Sequence, residues 1–284
     1  LWDMPQTPVN HIGDFKPSNC PSEGESSLDI QWVVGTAPGA SRFDYYNVDG
    51  WIPTGAYAVF NATNLTHVLS ASYGYCERCQ KDLFPGTNMT NQQIVQLSND
   101  QILKSAARGT TWNVASGDSG CKGRCFVDCS GPSCCAAFPA VSPFVTAVGA
   151  LDVLSSTVLE GGICGHNITC SGPADEMRPS VSGNDQWTTG GGCSNMVKMP
   201  DWQKQAVELY LDRDLPLPPH TNTSGRCMAD ASAFGHLLTC VIGGNLVTLD
   251  GTSAAAPINA GVLAYLNEVF IDTPRGSLGF ANPL

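Results

Sequence analysis

Apolar and polar positions along the chain alternate between two periods. In "ESSLDIQWVVG" the apolar residues recur at helical spacing until Gly35 and Pro38 interrupt them, and Ser22, three positions ahead of Glu25, supplies a capping-box signature at the start. "SRFDYYNV" is apolar and extended enough for a strand. "HVLSASYG" (67–74) and "TTWNVASG" (110–117) read as short strands ending in glycine, separated by a helix in "NDQILKSAARG" that closes at Gly109. "FVTAVGAL" follows as another buried strand, and "PDWQKQAVELYLDRD" as an amphipathic surface helix with Pro200 near its start. "DLPLPPHTNTSG" (214–225) is a proline-rich surface loop, and "LLTCVIGGNLVTLDG" is a hairpin turning at Gly243 to Asn245. A last helical pattern runs through "SAAAPINAGVLAYLNEVF".

Strands that are apolar on both faces and linked through helices predict an α/β fold, a mostly parallel sheet flanked by helices. Ligand chemistry on such sheets gathers at the carboxyl ends of strands, where "SASYG" and "ASGDSG" fall.

Composition narrows the function. The 284 residues can bury a full core, and a net charge of -11 with only 14% charged residues argues against nucleic acid, whose phosphates demand Lys and Arg. An acidic chain suits an acidic compartment, where carboxylates lose charge and repel one another less. Thirteen cysteines raise zinc or disulfides. With a single CxxC (Cys76, Cys79) and otherwise irregular spacing, disulfides are favoured, which leaves one thiol over; adjacent Cys134 and Cys135 should bond to different partners. Sequons at Asn61, Asn64, Asn88, Asn167 and Asn222 agree with a secretory glycoprotein. No apolar run approaches the roughly 20 residues of a membrane span, so none is expected. Leu1 opens the chain without a signal peptide, so a targeting segment is expected to have been removed or left out.

"DGTSAAAP" (250–257) carries the chemistry. Ser253 falls at a helix N-terminus, where unpaired N–H groups and the positive dipole end favour developing negative charge, and the alanines let the helix press into the core. The bland alternative is an N-cap serine. A serine nucleophile needs a base, but His11, His67, His166, His220 and His236 sit in no recognisable catalytic setting. Glu25 and Asp29, four apart, place two carboxyls on one helical face, which the helix tolerates most easily if they share a proton. One is then a candidate base and the other its orienter; the alternative is a solvated acidic face.

The blocks "EGESSLDIQW", "APGA", "SASYG", "ASGDSG", "FPAVSPFVTAVGA", "TTGGGCSN", "ADASA", "DGTSAAAP" and "LGFANP" resemble, in order and character, those of the sedolisins, the serine-carboxyl peptidases. The resemblance runs from about residue 22 to 284 and implies a subtilisin-like fold and a zymogen origin. It also implies that Glu25 replaces the histidine base, Asp29 assists Glu25, Ser253 attacks, and Asp118 stabilises the oxyanion. Ser72, Tyr73 and Gly74, with Gly190, Gly191 and Gly192, should edge the groove for a peptide or protein substrate.

Three departures stand out. The stretch before the glutamate helix is shorter than in the family, and the family's calcium loop lies beyond "GFANP", so residues 1–284 are expected to be one subtilisin-like peptidase domain lacking its outer parts. No cofactor is expected within the chain, calcium being tied by resemblance to the absent segment, and a separate fragment of the same precursor is a candidate partner. Cys193 also stands where the family usually continues its triple glycine with an aromatic residue.

The residues themselves dictate a pH. A carboxylate at Asp118 would repel the oxyanion, so the residue must act as an acid, and an ordinary aspartic acid is protonated only about once in a thousand molecules at pH 7. The set therefore works only in acid, in a lysosome, vacuole or acidic extracellular space. Two other readings are a catalytically silent family member with a structural or binding role, and a glycosidase using paired carboxylates. The glycosidase would need its carboxyls on separate elements, straddling a sugar.

Overall fold

A computed structural model describes residues 8–13, 24–48, 50–125, 134–154, 175–177, 187–213, 217, 221–274 and 276–281. In chain order the elements are β1 (Val9–Gly13), α1 (Gly24–Thr36), β2 (Phe43–Asn47), α2 (Ile52–Asn61), β3 (Val68–Ala71), β4 (Tyr75–Cys76), α3 (Asn91–Ala107), β5 (Thr111–Ala115), β6 (Ala137–Phe138) and β7 (Thr146–Leu154). There follow β8 (Asp175–Met177), β9 (Gly192–Lys198), α4 (Lys204–Leu211), β10 (Gly225–Met228), β11 (Ala231–Phe234), β12 (Leu238–Ile242), β13 (Asn245–Leu249) and α5 (Thr252–Ile271).

The central sheet runs β11-β7-β5-β3, every pair parallel, with β8 antiparallel along the end of β7. This is the α/β arrangement that the two-sided apolar strands predict. β5 is buried throughout. On one face Trp112, Val114, Val145 and Ala147 pack with Ile52 and Ala56 of α2 and Ile102 of α3. On the other, Ala115, Val148 and Ala150 meet Ala255 and Ala256 of α5.

α3 begins earlier than its apolar pattern indicates, at a complete capping box between Thr90 and Gln93. Gly109, at φ +96°, turns the chain out of that helix as expected. Ser22, half of the proline-rich loop, Cys129 and Asn167 lie outside the described residues. α5 corrects the reading that no apolar run reaches membrane-spanning length: its 20 residues suffice by length and composition. Its first half is nevertheless core, wedged between α1 and the sheet.

Among the described residues the cysteines pair as Cys76–Cys135, Cys79–Cys125, Cys121–Cys134 and Cys193–Cys227. Neighbours Cys134 and Cys135 do take different partners. These bonds sit deep in the fold: Cys76, Cys79, Cys134 and Cys135 are buried. Cys76, Cys79 and Cys125 bring their sulfurs close enough to hold a metal, but each is spent in a disulfide. Cys240 is free and buried, and burial pushes its thiol up. Asn61, Asn64 and Asn88 are exposed as glycan acceptors should be, whereas Asn222 is half-buried and donates its amide to the Ser194 carbonyl at 2.8 Å.

The turn from β10 into β11 is held by a buried charge pair. Arg226, wholly buried, pairs its Nη2 with Asp230 Oδ2, which also accepts Ala147 N at 2.8 Å, and its guanidinium lies 5.2 Å from the Trp202 ring. Arg226→Met keeps the bulk and strands Asp230. Urea unfolding should show a loss of about 3–5 kcal/mol.

Candidate active site

α1 presents Glu25 in its first turn and Asp29 one turn later on the same face. Burial, with the Glu25 carboxyl nearby adding to it, pushes Asp29 up to about 8 against the opposing pull of a hydrogen bond from Ser72. Glu25 and Asp29 are both half-buried, and it is Asp29 that is raised into the neutral range. α1 is fixed from its other side. Leu28 packs with Cys240 and Ala254, and the Gln31 amide bonds both the N–H (2.8 Å) and the carbonyl (2.9 Å) of Val241. Gln31 thus pairs with β12 as a strand would, tying the acid helix to the hairpin that leads into Ser253.

That hairpin delivers Gly251 as the N-cap of α5, at φ +142° and with no side-chain cap. Ser253 is the second helical residue, so the N-cap alternative is set aside. Ala254, Ala255 and Ala256 are fully buried, which is why the residues after the serine have so little bulk. Ser253 is 8% exposed. Its hydroxyl donates to the Ser72 carbonyl at 3.4 Å, so in this rotamer it is turned toward Ser72.

Asp118 arrives from the carboxyl end of β5. Gly117, at φ +103°, makes the turn and donates its N–H to Thr252 Oγ1 at 3.0 Å. Asp118 Oδ1 accepts Thr252 N at 2.7 Å and Thr252 Oγ1 at 2.9 Å. The carboxyl does the capping that Gly251 cannot, one residue from Ser253, and Oδ2 is left for a further partner. A Cβ at Gly251 would stand 3.5 Å from both Asp118 oxygens.

The expected groove residues divide. Tyr73 is half exposed, and Gly74 packs against the Phe138 carbonyl. Ser72 is buried, and its hydroxyl is engaged with Asp29 Oδ1 (2.6 Å) and the Ser253 carbonyl (3.1 Å). The glycine block straps the Asp118 loop: Gly190 O accepts Ser116 Oγ at 3.1 Å, Gly191 N donates to Gly120 O at 3.1 Å, and a Cβ at Gly190 would fall 2.0 Å from the Ser116 carbonyl. Gly192 adopts φ +101° against Cys121. Sequence reasoning missed the roles of Ser72 and Thr252 inside the cluster. A cleft of about 940 Å³ opens beside Asp29, Ser72 and Tyr73, walled by Ile30, Val33, Trp51 and Trp112.

No protein-family model matches the chain. It is 32% identical to physarolisin of Physarum polycephalum over 295 aligned positions, covering 99% of this chain and 50% of that protein. Against human tripeptidyl-peptidase 1 the identity is 30% over 269 positions, covering 91% of this chain and 42% of the relative. The chain thus spans half or less of the length of these curated relatives. Among solved structures it superposes on a Pseudomonas sedolisin, a serine-carboxyl proteinase complexed with two molecules of pseudo-iodotyrostatin, with a TM-score of 0.69. That match has 24% identity and covers 98% of this chain and 70% of the other. At that identity the likeness establishes the fold, which is subtilisin-like.

Proposed function

The chain belongs to the sedolisin family, and on that premise we propose that it carries the active site of an acid-acting serine-carboxyl peptidase. The observation that carries the reading is the convergence of three separate segments: the half-buried acid pair of α1, linked through Ser72 to the serine at the N-terminus of α5, and a carboxyl bonded to the residue beside that serine. Ser253 attacks the peptide carbonyl after its hydroxyl turns from Ser72 toward Glu25, which takes the proton and later returns it to the leaving amine. Asp29, half-buried one turn along α1, stands beside Glu25 and assists it. Asp118, anchored through Oδ1, offers a proton from Oδ2 to the tetrahedral oxygen. The substrate is a peptide or protein, and a separate fragment of the precursor is its proposed companion. Buried disulfides and exposed sequons support a secretory or lysosomal location.

The test is a pH profile with one substitution. Activity should follow a bell with its maximum roughly between pH 3 and 6, since Glu25 must be ionised while Asp118 donates. Asp118→Asn keeps a donor that does not titrate, so this variant should retain measurable activity and extend it toward neutral pH. A maximum at pH 8 in the unaltered protein refutes the assignment. Absence of cleavage at any pH favours a structural role.

A further inference from the structure

Inside α5 the carbonyl of Ser253 would ordinarily accept the N–H of residue 257. Residue 257 is Pro257, which has none. The helix therefore leaves an unpaired carbonyl on the very residue proposed as nucleophile, and Ser253 is buried, so water cannot readily take the place of the missing donor. Ser72 does. Its Oγ stands 3.1 Å from that carbonyl oxygen, brought there from the end of β3, 181 residues earlier in the chain.

The same Oγ lies 2.6 Å from Asp29 Oδ1. A serine hydroxyl has one proton to give and two lone pairs to receive with. The Ser253 carbonyl can only accept. Both contacts are full hydrogen bonds when Asp29 holds the proton and donates it to Ser72 Oγ, which then donates its own to the carbonyl. In return, the Ser253 hydroxyl rests on the Ser72 carbonyl at 3.4 Å, so the two serines bond each other's backbone.

We propose that Ser72 is a positioning residue for the nucleophile: its hydroxyl supplies the donor that Pro257 withholds and links the Asp29 carboxyl to the first turn of α5. The catalytic consequence rests on the serine-carboxyl reading, whereas the link itself does not. The Ser72 side chain touches no reacting atom; only the Ser72 backbone carbonyl meets Ser253 Oγ, in the resting rotamer. It fixes the backbone from which Ser253 Oγ swings between the Ser72 carbonyl and Glu25, and a small displacement there misaims the attack.

A double-mutant cycle separates this link from generic packing. Ser72→Ala should lower kcat for peptide hydrolysis about tenfold with KM changed by no more than about twofold, since an aiming defect acts after binding. Pro257→Ala returns a backbone N–H to the Ser253 carbonyl, and in that background Ser72→Ala should cost no more than about threefold. The melting temperature gives an independent reading: Ser72→Ala should lower it by roughly 2–4 °C in the parent and by clearly less beside Pro257→Ala. Equal effects of Ser72→Ala in both backgrounds, or an unchanged kcat with an unchanged melting temperature, overturn the proposal. If Ser253→Ala keeps full activity, the serine reading is what has failed, and the melting cycle alone then decides the link.

Discussion

Ser253→Ala should cut peptide hydrolysis by at least about a thousandfold at every pH from 3 to 8, leaving only what binding and the oxyanion donors contribute. The size of the effect follows from position. Ser253 stands at the N-terminus of α5, one residue from the Asp118 contacts at Thr252 and linked through Ser72 to Asp29 of α1. Removing that oxygen disturbs little else, because the next three residues are buried alanines and the Asp118 contacts go to Thr252. The variant should fold as the parent does, with a melting temperature close to it. Single-turnover hydrolysis of an unstructured peptide, measured across the pH range, is the readout. Activity that survives the substitution would assign the chemistry to another nucleophile and leave Ser253 as part of the helix turn.

How much of this was legible depended on whether the signal was local. α1, α3, β5, β7 and α5 follow from periodicity and from punctuation at Gly35, Gly109 and Gly251, because those constraints act within a few residues. α2 did not declare itself: ten residues with Pro53 and Gly55 among them form a helix because Ile52, Ala56 and Val59 are buried in the tertiary core. β9 and β10 are a short antiparallel pair crossed by Cys193–Cys227, and no spacing rule links two cysteines 34 apart.

The site shows the same division. Glu25 and Asp29 were readable as an acid pair from their spacing of four, and Ser253 from the small residues after it. Asp118 was reachable only through family resemblance, since its partner Thr252 lies 134 residues away and nothing in "SGDSG" announces a capping acceptor. Ser72 was expected at the substrate groove. It lines the cleft, and its hydroxyl is also committed inward, a role no local signal announces, because Asp29 lies 43 residues before it and the Ser253 carbonyl 181 after, and only the folded chain brings them together.

The protein should melt at a markedly higher temperature at pH 4 than at pH 7.5, and Asp29→Asn should remove much of that difference. Asp29 is pushed up to about 8 in the fold, chiefly by burial, from an ordinary value of 3.8. Below about pH 4 the folded and unfolded chains both hold the proton, and the fold has the full benefit. Between about pH 4 and 8 the unfolded chain has released the proton while the folded chain keeps it, so each added pH unit favours unfolding by about 1.4 kcal/mol. Above about 8 the loss is complete. Relaxation around the carboxyl reduces the total, which still amounts to several kcal/mol. Glu77, buried and also raised by desolvation, has the same sign, so some slope should remain in Asp29→Asn. The asparagine cannot ionise, and it still offers an amide N–H to Ser72 Oγ. Calorimetric or urea unfolding of both proteins at half-unit steps gives the comparison. Parallel stability curves for parent and variant would mean that Asp29 titrates normally in the fold and that the acid pair of α1 is solvated after all.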